Sequence, residues 1–469
     1  MKRANWRTVS IENVYLNLFD GPHATPKPSS TGPIFLGIKN ISEDGQLDLS
    51  EIRHIAEDDF PVWTRRVEPR PGDIVFTYEA TLNRYAIVPK GFRGCLGRRL
   101  ALIRPNHKCI DTKFLFYYFF GEEWRKTIAS NIMLGSTVDR IPLVSFPKFP
   151  VTLPPLSIQH TIASILSAYD DLIENNTRRI AVLEEMAQML YEEWFVKFRF
   201  PGYEQVRMVE AELGKMLEGW EVAAIGDIIQ VLGGGTPSTK IPEYWNDGDI
   251  IWFSPTDLTS SATMFISDSA KKITSLGLKE SSARLFPAYS VMMTSRATIG
   301  VVAINTKAAC TNQGFIICIP NERLSAYQIY HWLMGNRQKI NSLASGATFK
   351  EINRATFKQL QIAIPPENIG KLFDEFVHPI YKHVENLIQR NANLRRTRDI
   401  LLPKLISGEI DVSSWVGGDA EVAAQELAAS VVGAANVYDS IGGIGRKVAE
   451  VGPMEPIEKE GLEWHSLWE

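Results

Sequence analysis

Cysteine is scarce: Cys95, Cys109, Cys310 and Cys318 are four in 469 residues, with no CxxC pair and no close histidine partners. This excludes a disulfide scaffold, makes a zinc site improbable and suits a reducing cytoplasm. Long apolar runs are also missing. Charge interrupts the Leu, Ile and Val stretches within about ten residues, well short of the ~20 needed to cross a bilayer. The start, MKRANWRTVS, lacks the apolar core of a signal peptide. The chain is therefore expected to be cytoplasmic, with no membrane partner.

The motifs of the common catalytic sites are absent as well. Gly233-Gly-Gly235 runs into Thr-Pro-Ser-Thr-Lys240, which is not the phosphate loop of a nucleotide hydrolase and reads as a flexible loop. There is no HExxH, and His378 and His383 stand five apart rather than on one helix face. No GxSxG elbow occurs. The paired prolines of Leu153-Pro-Pro155 and Ile364-Pro-Pro366 lack the preceding Asn or Asp and the following aromatic of amino-methyltransferases, and suit a rigid loop-to-helix junction instead. No cofactor, no metal and no catalysis by the chain alone are expected.

What is present is ordinary globular material, 45% apolar and 22% charged, at a length that predicts three or four domains. The net charge of −4 conceals an uneven distribution. Residues 1–152 carry 21 Lys and Arg against 16 Asp and Glu, and residues 213–363 carry 14 against 11. The stretch from Asp411 to Glu469 carries 3 against 11. Two mildly basic blocks can supply phosphate contacts, but an excess of this size is common in any domain.

The strongest feature is an internal duplication. Trp6 to Ile11 aligns with Trp220 to Ile225, and Thr25–Pro26 with Thr236–Pro237. Further on, Ala80–Thr81 aligns with Ala297–Thr298, Cys95 with Cys310, and Pro105–Asn106 with Pro320–Asn321. Gly135-Ser-Thr-Val-Asp-Arg-Ile141 matches Gly346-Ala-Thr-Phe-Lys-Glu-Ile352 and continues ungapped to the paired prolines. Collinear matches at a shift above 200 residues make a tandem of whole modules, not a solenoid of short repeats.

Within each module the texture changes at the prolines. Before them, short segments such as Ile34–Ile38, Asp73–Phe76, Ile250–Phe253 and Phe315–Ile319 are punctuated by Gly, Pro, Asn and Asp and read as strands. After them, Ile162, Leu166, Tyr169, Ile173, Asn176, Ile180, Leu183, Ala187, Leu190 and Trp194 step by four and three. Phe373, Val377, Ile380, Val384, Leu387, Asn391, Leu394, Arg398, Leu401 and Leu405 do the same. These are coiled-coil seams, and each helix's natural partner is the other. Asn176 and Asn391 interrupt the seams, where one Asn can fix register or can lie at a frayed edge. Pro379 is expected to kink or start the second helix.

The expected organisation is α/β. It comprises a module at 1–152, a helix at 153–200, a linker at 201–212, a second module at 213–363, a second helix at 364–410 and an acidic tail at 411–469. The tail, with Gly417–Gly418, Gly433 and Gly442–Gly443, is expected to be weakly ordered apart from a short helix from Val422 to Val432. Deletion from Gly417 is accordingly expected to leave specificity unchanged.

The run from Leu153 through Leu166 into Asp170-Asp-Leu-Ile-Glu-Asn-Asn176, with the ending Leu401-Leu-Pro-Lys-Leu-Ile-Ser-Gly-Glu-Ile410, resembles the specificity subunits of type I restriction-modification systems. The resemblance covers residues 1 to about 412. It implies two target recognition domains, each reading half of a split double-stranded DNA target, held by an antiparallel coiled coil. It also implies two partner subunits that methylate adenine, and further restriction and translocase subunits.

Residue type and place give the DNA-contact candidates. In the first module they are Thr25, Lys27, Lys39, Asn40, Tyr78, Arg84, Arg98 and Arg99. In the second they are Thr236, Ser238, Lys240, Thr256, Arg296, Thr298, Asn312 and Gln313. Arg suits guanine and Asn or Gln suits adenine, while Lys and Thr more often hold phosphate. Arg98–Arg99 would equally fit a strand end bonded to nearby carboxylates. The rival readings are a self-contained endonuclease with a cryptic carboxylate site and a coiled-coil scaffold that does not read DNA.

Overall fold

A computed structural model describes residues 5–133, 138–261, 263–346 and 350–432. The aligned stretches at Gly135 and Gly346 lie partly outside these residues, and the tail beyond 432, with Gly433 and Gly442–Gly443, wholly so. The chain divides into two compact units, residues 1–174 with 390–469 and residues 175–389.

In the first unit, Arg7–Ser10 pairs antiparallel with Pro150–Leu153, which ties the start of the module to the paired prolines. A four-stranded antiparallel sheet runs in the order Tyr15–Asp20, Leu100–Pro105, Ile74–Thr77, Tyr85–Ile87. A second sheet orders Arg53–His54, Ser29–Leu36 and Gly94–Leu96, the last two parallel. Ile74 to Thr77 are all buried, as expected of a central strand with both faces covered. Phe76, Tyr85, Trp124 and Phe146 fill the core, where the Trp124 indole N–H donates to the Tyr85 hydroxyl at 2.8 Å, satisfying a polar group that burial would otherwise penalise.

The second unit repeats this plan. Glu221–Ala224 pairs antiparallel with Gln361–Ile364. The larger sheet runs Gln230–Gly233, Phe315–Ile319, Val291–Thr294, Val302–Asn305, with Phe265–Ile266 added at the edge. The smaller one orders Lys272–Ile273, Ile250–Phe253 and Ala309–Thr311, again with the last two parallel. Residues 201–212, expected as a linker, contain the strand Met208–Ala211, paired with Gly214–Leu217.

Two long helices, Leu156–Tyr191 and Glu367–Ile406, carry the two seams. In the first unit Ile162, Leu166, Tyr169 and Ile173 are buried in one core with Leu394, Leu401 and Leu405. There Arg398 pairs with Asp170 at 2.5 Å, and the Asn391 amide donates to the Ile173 carbonyl at 3.3 Å. In the second unit Arg179 meets His383 at 3.0 Å, and the Tyr191 and Phe373 rings are 6.1 Å apart. Numbers that rise along one helix fall along the other, so the pairing is antiparallel in each unit. Asn176 is buried too.

The structure corrects one expectation here. Pro379 does not start the second helix, which runs through it from Glu367 to Ile406. Pro379 is exposed, so the Glu375 carbonyl that loses its N–H partner lies on the solvent side, where water can take that place. The short helix expected from Val422 to Val432 is present and starts two residues earlier. Ala420–Val432 is a helix with Ala423, Ala424, Leu427 and Ala428 buried in the first unit's core, and the Tyr169 hydroxyl donates to the Ala424 carbonyl at 2.7 Å. Small side chains at this spacing let the helix backbone come close, a packing signal that the surrounding glycines and acids obscured. No described helix is long and apolar enough to cross a membrane.

Candidate nucleic-acid interface

In the first unit the site is built on the turn that follows Ser29–Leu36. Asn40 accepts the Gly37 N–H at 2.8 Å, and its amide donates to the carbonyls of Asp48 at 2.9 Å and Glu51 at 3.2 Å. It is buried, and these bonds brace the turn. The turn presents Lys39 to an open cleft of about 410 Å³ lined also by Thr25, Arg53, Arg98 and Arg99.

Across the cleft, the Gly97 N–H donates to the Leu36 carbonyl at 2.7 Å, and a Cβ at Gly97 would lie 2.3 Å from that same oxygen. Only glycine lets the chain pass there. The two arginines that follow then diverge. Arg99 takes a left-handed backbone, φ 73°, and its guanidinium binds Glu79 at 3.1 Å, which realises the strand-end alternative. Arg98 is exposed and, among the described residues, has no hydrogen bond or ion pair.

Three other first-module candidates stand outside the cleft. Arg84 is engaged by the Ile41 carbonyl at 3.2 Å and Glu43 at 3.0 Å, and so fastens the bracing loop. Tyr78 is 6% exposed, and its hydroxyl is buried with no partner among the described residues. Burial, reinforced by Asp20 and Glu79, pushes that phenol up to about 12, so it is neutral at any physiological pH. Lys27 is exposed on the loop that carries Thr25.

The second unit brings the corresponding loops together with different side chains. Asp257 accepts the Ser254 N–H at 2.7 Å, which fixes the turn after Ile250–Phe253 and presents Thr256. Asn312 donates its N–H to the Phe253 carbonyl at 3.1 Å, and its own side-chain oxygen holds the Gly314 N–H at 2.9 Å. The Thr236 hydroxyl donates to the Gln313 Oε1 at 2.6 Å, and both residues are exposed. A Cβ at Gly314 would lie within 4.0 Å of Asn312, Pro255 and the Arg296 Cβ.

Arg296 is held loosely by Glu351 at 3.9 Å, and Thr298 is exposed beside it. Ser238 uses its carbonyl to receive the Trp245 indole at 3.0 Å, and Lys240 is exposed further along that loop. Gly233–Gly235 is not a flexible loop. A Cβ at Gly234 would lie 2.0 Å from the Asn312 carbonyl, and one at Gly235 2.3 Å from the Ser282 hydroxyl, so close packing demands both glycines.

Arg53 and Asp257 escaped the sequence reading. Asp257 was detectable, because it lies 217 residues after Asn40, within the drift of the other matches. Nothing in the sequence places Arg53 in the cleft, since the strand pairing that brings it there is non-local.

Burial pushes the Cys95 and Cys310 thiols up to about 12, leaving them protonated and packed. Among the described residues no group of three or more His, Cys, Asp or Glu is placed to hold a metal.

Comparison with known proteins gives a consistent result. A family model described as the type I restriction modification DNA specificity domain matches residues 66–185 and 217–396. The chain is 26% identical over 405 residues to the type I restriction enzyme HindI specificity subunit of Haemophilus influenzae, covering 73% of this chain and 87% of that one. It is 35% identical over 211 residues to the MjaIX specificity subunit of Methanocaldococcus jannaschii, a match that spans 44% of this chain and 46% of the relative. The crystal structure of a type I restriction-modification S subunit from M. genitalium shares the fold, with a TM-score of 0.52 at 15% identity, covering 86% of this chain and 96% of that one.

Proposed function

Because this chain belongs to the type I restriction-modification DNA specificity family, we propose that it reads a split, asymmetric duplex target, one half-site for each module. As a specificity subunit it recognises DNA sequence. The observation that carries the two-module reading is the repetition of one loop scaffold with different exposed side chains. Asn40 and Asp257 brace the same turn, yet Lys39 stands where the second module has Thr256, and Arg98 where it has Gln313. One frame with two chemistries suits two different half-sites.

The recognition modules in this reading are residues 1–152 and 213–363, and the helix pair sets the number of unread base pairs between the half-sites. The chain does not itself catalyse. Two adenine-methylating subunits dock on it, as do restriction and translocase subunits, and base flipping takes place in the methylating partner.

Sequencing methylated bases in cells that express the chain with its partner subunits tests the proposal. A motif of two unlike half-sites around a fixed, unread spacer is expected. A continuous motif, or methyl transfer or cleavage by the purified chain alone, would contradict it.

A further inference from the structure

The two-module reading names a surface but no reading residue, and the register of the small sheets narrows the choice. In the first unit Phe35 pairs with Cys95 across parallel strands, and in the second Trp252 pairs with Cys310 in the same arrangement. Two residues on, Gly97 and Asn312 make the same backbone bond, to Leu36 and Phe253 respectively. The next residue is Arg98 in one module and Gln313 in the other. These two side chains therefore leave the same point of the same loop, and both are exposed.

Their neighbours are otherwise engaged. Arg99 is held by Glu79, Arg84 by Glu43 and the Ile41 carbonyl, and the Asn40 and Asn312 side chains brace their own loops. Arg98 keeps its donor fork unpaired among the described residues. Gln313 is steered by Thr236, whose hydroxyl occupies one lone pair of Oε1 and leaves the other lone pair and the amide N–H donors directed elsewhere.

We propose that Arg98 and Gln313 are the equivalent base-reading residues of the two modules, Arg98 for a guanine and Gln313 for an adenine, with Thr236 positioning Gln313. The chemistry follows from the donor patterns. Guanine presents two acceptors, N7 and O6, that match the guanidinium fork. Adenine presents an acceptor at N7 and a donor at N6, matching an amide that both donates and accepts. Gln313 can do so while bound to Thr236, because its carbonyl oxygen has two lone pairs. Lys39 and Thr256, at equivalent points of the neighbouring turn, are left to contact phosphate.

The assignment rests on the two-module reading, and the test separates them. The full chain, assembled with its modification subunits, is challenged with duplexes that carry the wild-type methylated motif and single base-pair changes. Arg98→Gln should lose about 10- to 100-fold of discrimination at one guanine position of one half-site. Gln313→Arg should do the same at one adenine position of the other. Thr236→Val should relax that adenine position alone and leave the unfolding midpoint and the other half-site unchanged.

Arg98→Gln with full discrimination at every position would overturn the assignment. So would a uniform loss of affinity with a shallower salt dependence, the signature of a phosphate contact. A wild-type complex without a split motif would overturn the two-module reading, and this assignment with it.

Discussion

Asn40 and Asp257 do the same work in the two modules: each accepts, through its side-chain oxygen, the N–H of the residue three positions earlier, Gly37 at 2.8 Å and Ser254 at 2.7 Å. One is neutral and the other charged, so what the duplication keeps here is an acceptor in a turn. Beyond the shared bond the two differ. Asn40 also donates to the Asp48 and Glu51 carbonyls, while Asp257 accepts the Ala270 N–H at 2.8 Å.

Asn40→Ala should therefore destabilise the first module by about 1–3 kcal/mol, since it strands a backbone N–H and two carbonyls in a buried turn. Denaturant unfolding measures this. A change within ~0.5 kcal/mol, the range of an ordinary surface substitution, would show that the turn stands without its brace.

The second unit contains one buried and one half-buried group whose titrations oppose each other. Burial holds the His331 imidazole down at about 4 and lifts the Asp374 carboxyl to about 6. A histidine with a depressed folded pKa makes stability rise with pH up to its unfolded value near 6.5. An aspartate with a raised folded pKa makes stability fall as pH rises from about 4 to about 6. The two slopes largely cancel between pH 4 and 6. Asp374→Asn retains an oxygen to accept the Ser325 hydroxyl and removes one slope, so stability of the variant should climb with pH across this window, as followed by unfolding at stepped pH. A flat profile in the variant would mean that His331 is not held neutral by the fold.

Truncation within the tail should discriminate sharply by position. A chain ending at Val432 retains every described contact of the tail helix, whereas one ending at Val416 exposes the surface that Ala423, Ala424, Leu427 and Ala428 cover and removes the partner of the Tyr169 hydroxyl. The shorter chain should lose about 2–4 kcal/mol, chiefly from uncovering one leucine-sized apolar site and its alanine neighbours. Equal unfolding midpoints for the two truncations would contradict this.

The parts of this fold that were legible in the sequence are the periodic ones. The seams of both helices show in a step of four and three, and the Cys95–Cys310 match marks equivalent strands, because buried strand positions tolerate few side chains. The tail helix was legible, but its docking into the core was not, because its buried stripe is mostly alanine, which reads as neutral filler. Pro379 misled because a sequence does not show which side of a helix faces solvent. Within the site, residue type pointed to Asn40, Arg84 and Arg99, but their partners, Glu51, Glu43 and Glu79, come from turns and distant strands whose approach no local pattern announces.

If the helix pair acts as a ruler, its length should set the unread spacer. Both long helices continue from one unit into the other, with Glu174 and Arg390 at the boundary. Four residues inserted after Glu174 together with four after Gln389 add about one turn, ~6 Å, to each helix and nearly keep the seam. The spacer should lengthen by about one or two base pairs, at ~3.4 Å per base pair, with both half-sites unchanged. Methylated-base sequencing of the assembled variant reads this directly, and an unchanged spacer would remove the ruler from the account.

The most direct test of the central claim, one module for one half-site, is the methylated motif of a chimera in which residues 1–152 are replaced by the first module of another family member. Expressed with the modification subunits, the chimera should methylate a target in which one half-site is new and the other, with the spacer, is that of the parent. A motif altered in both halves, or in neither, would contradict it.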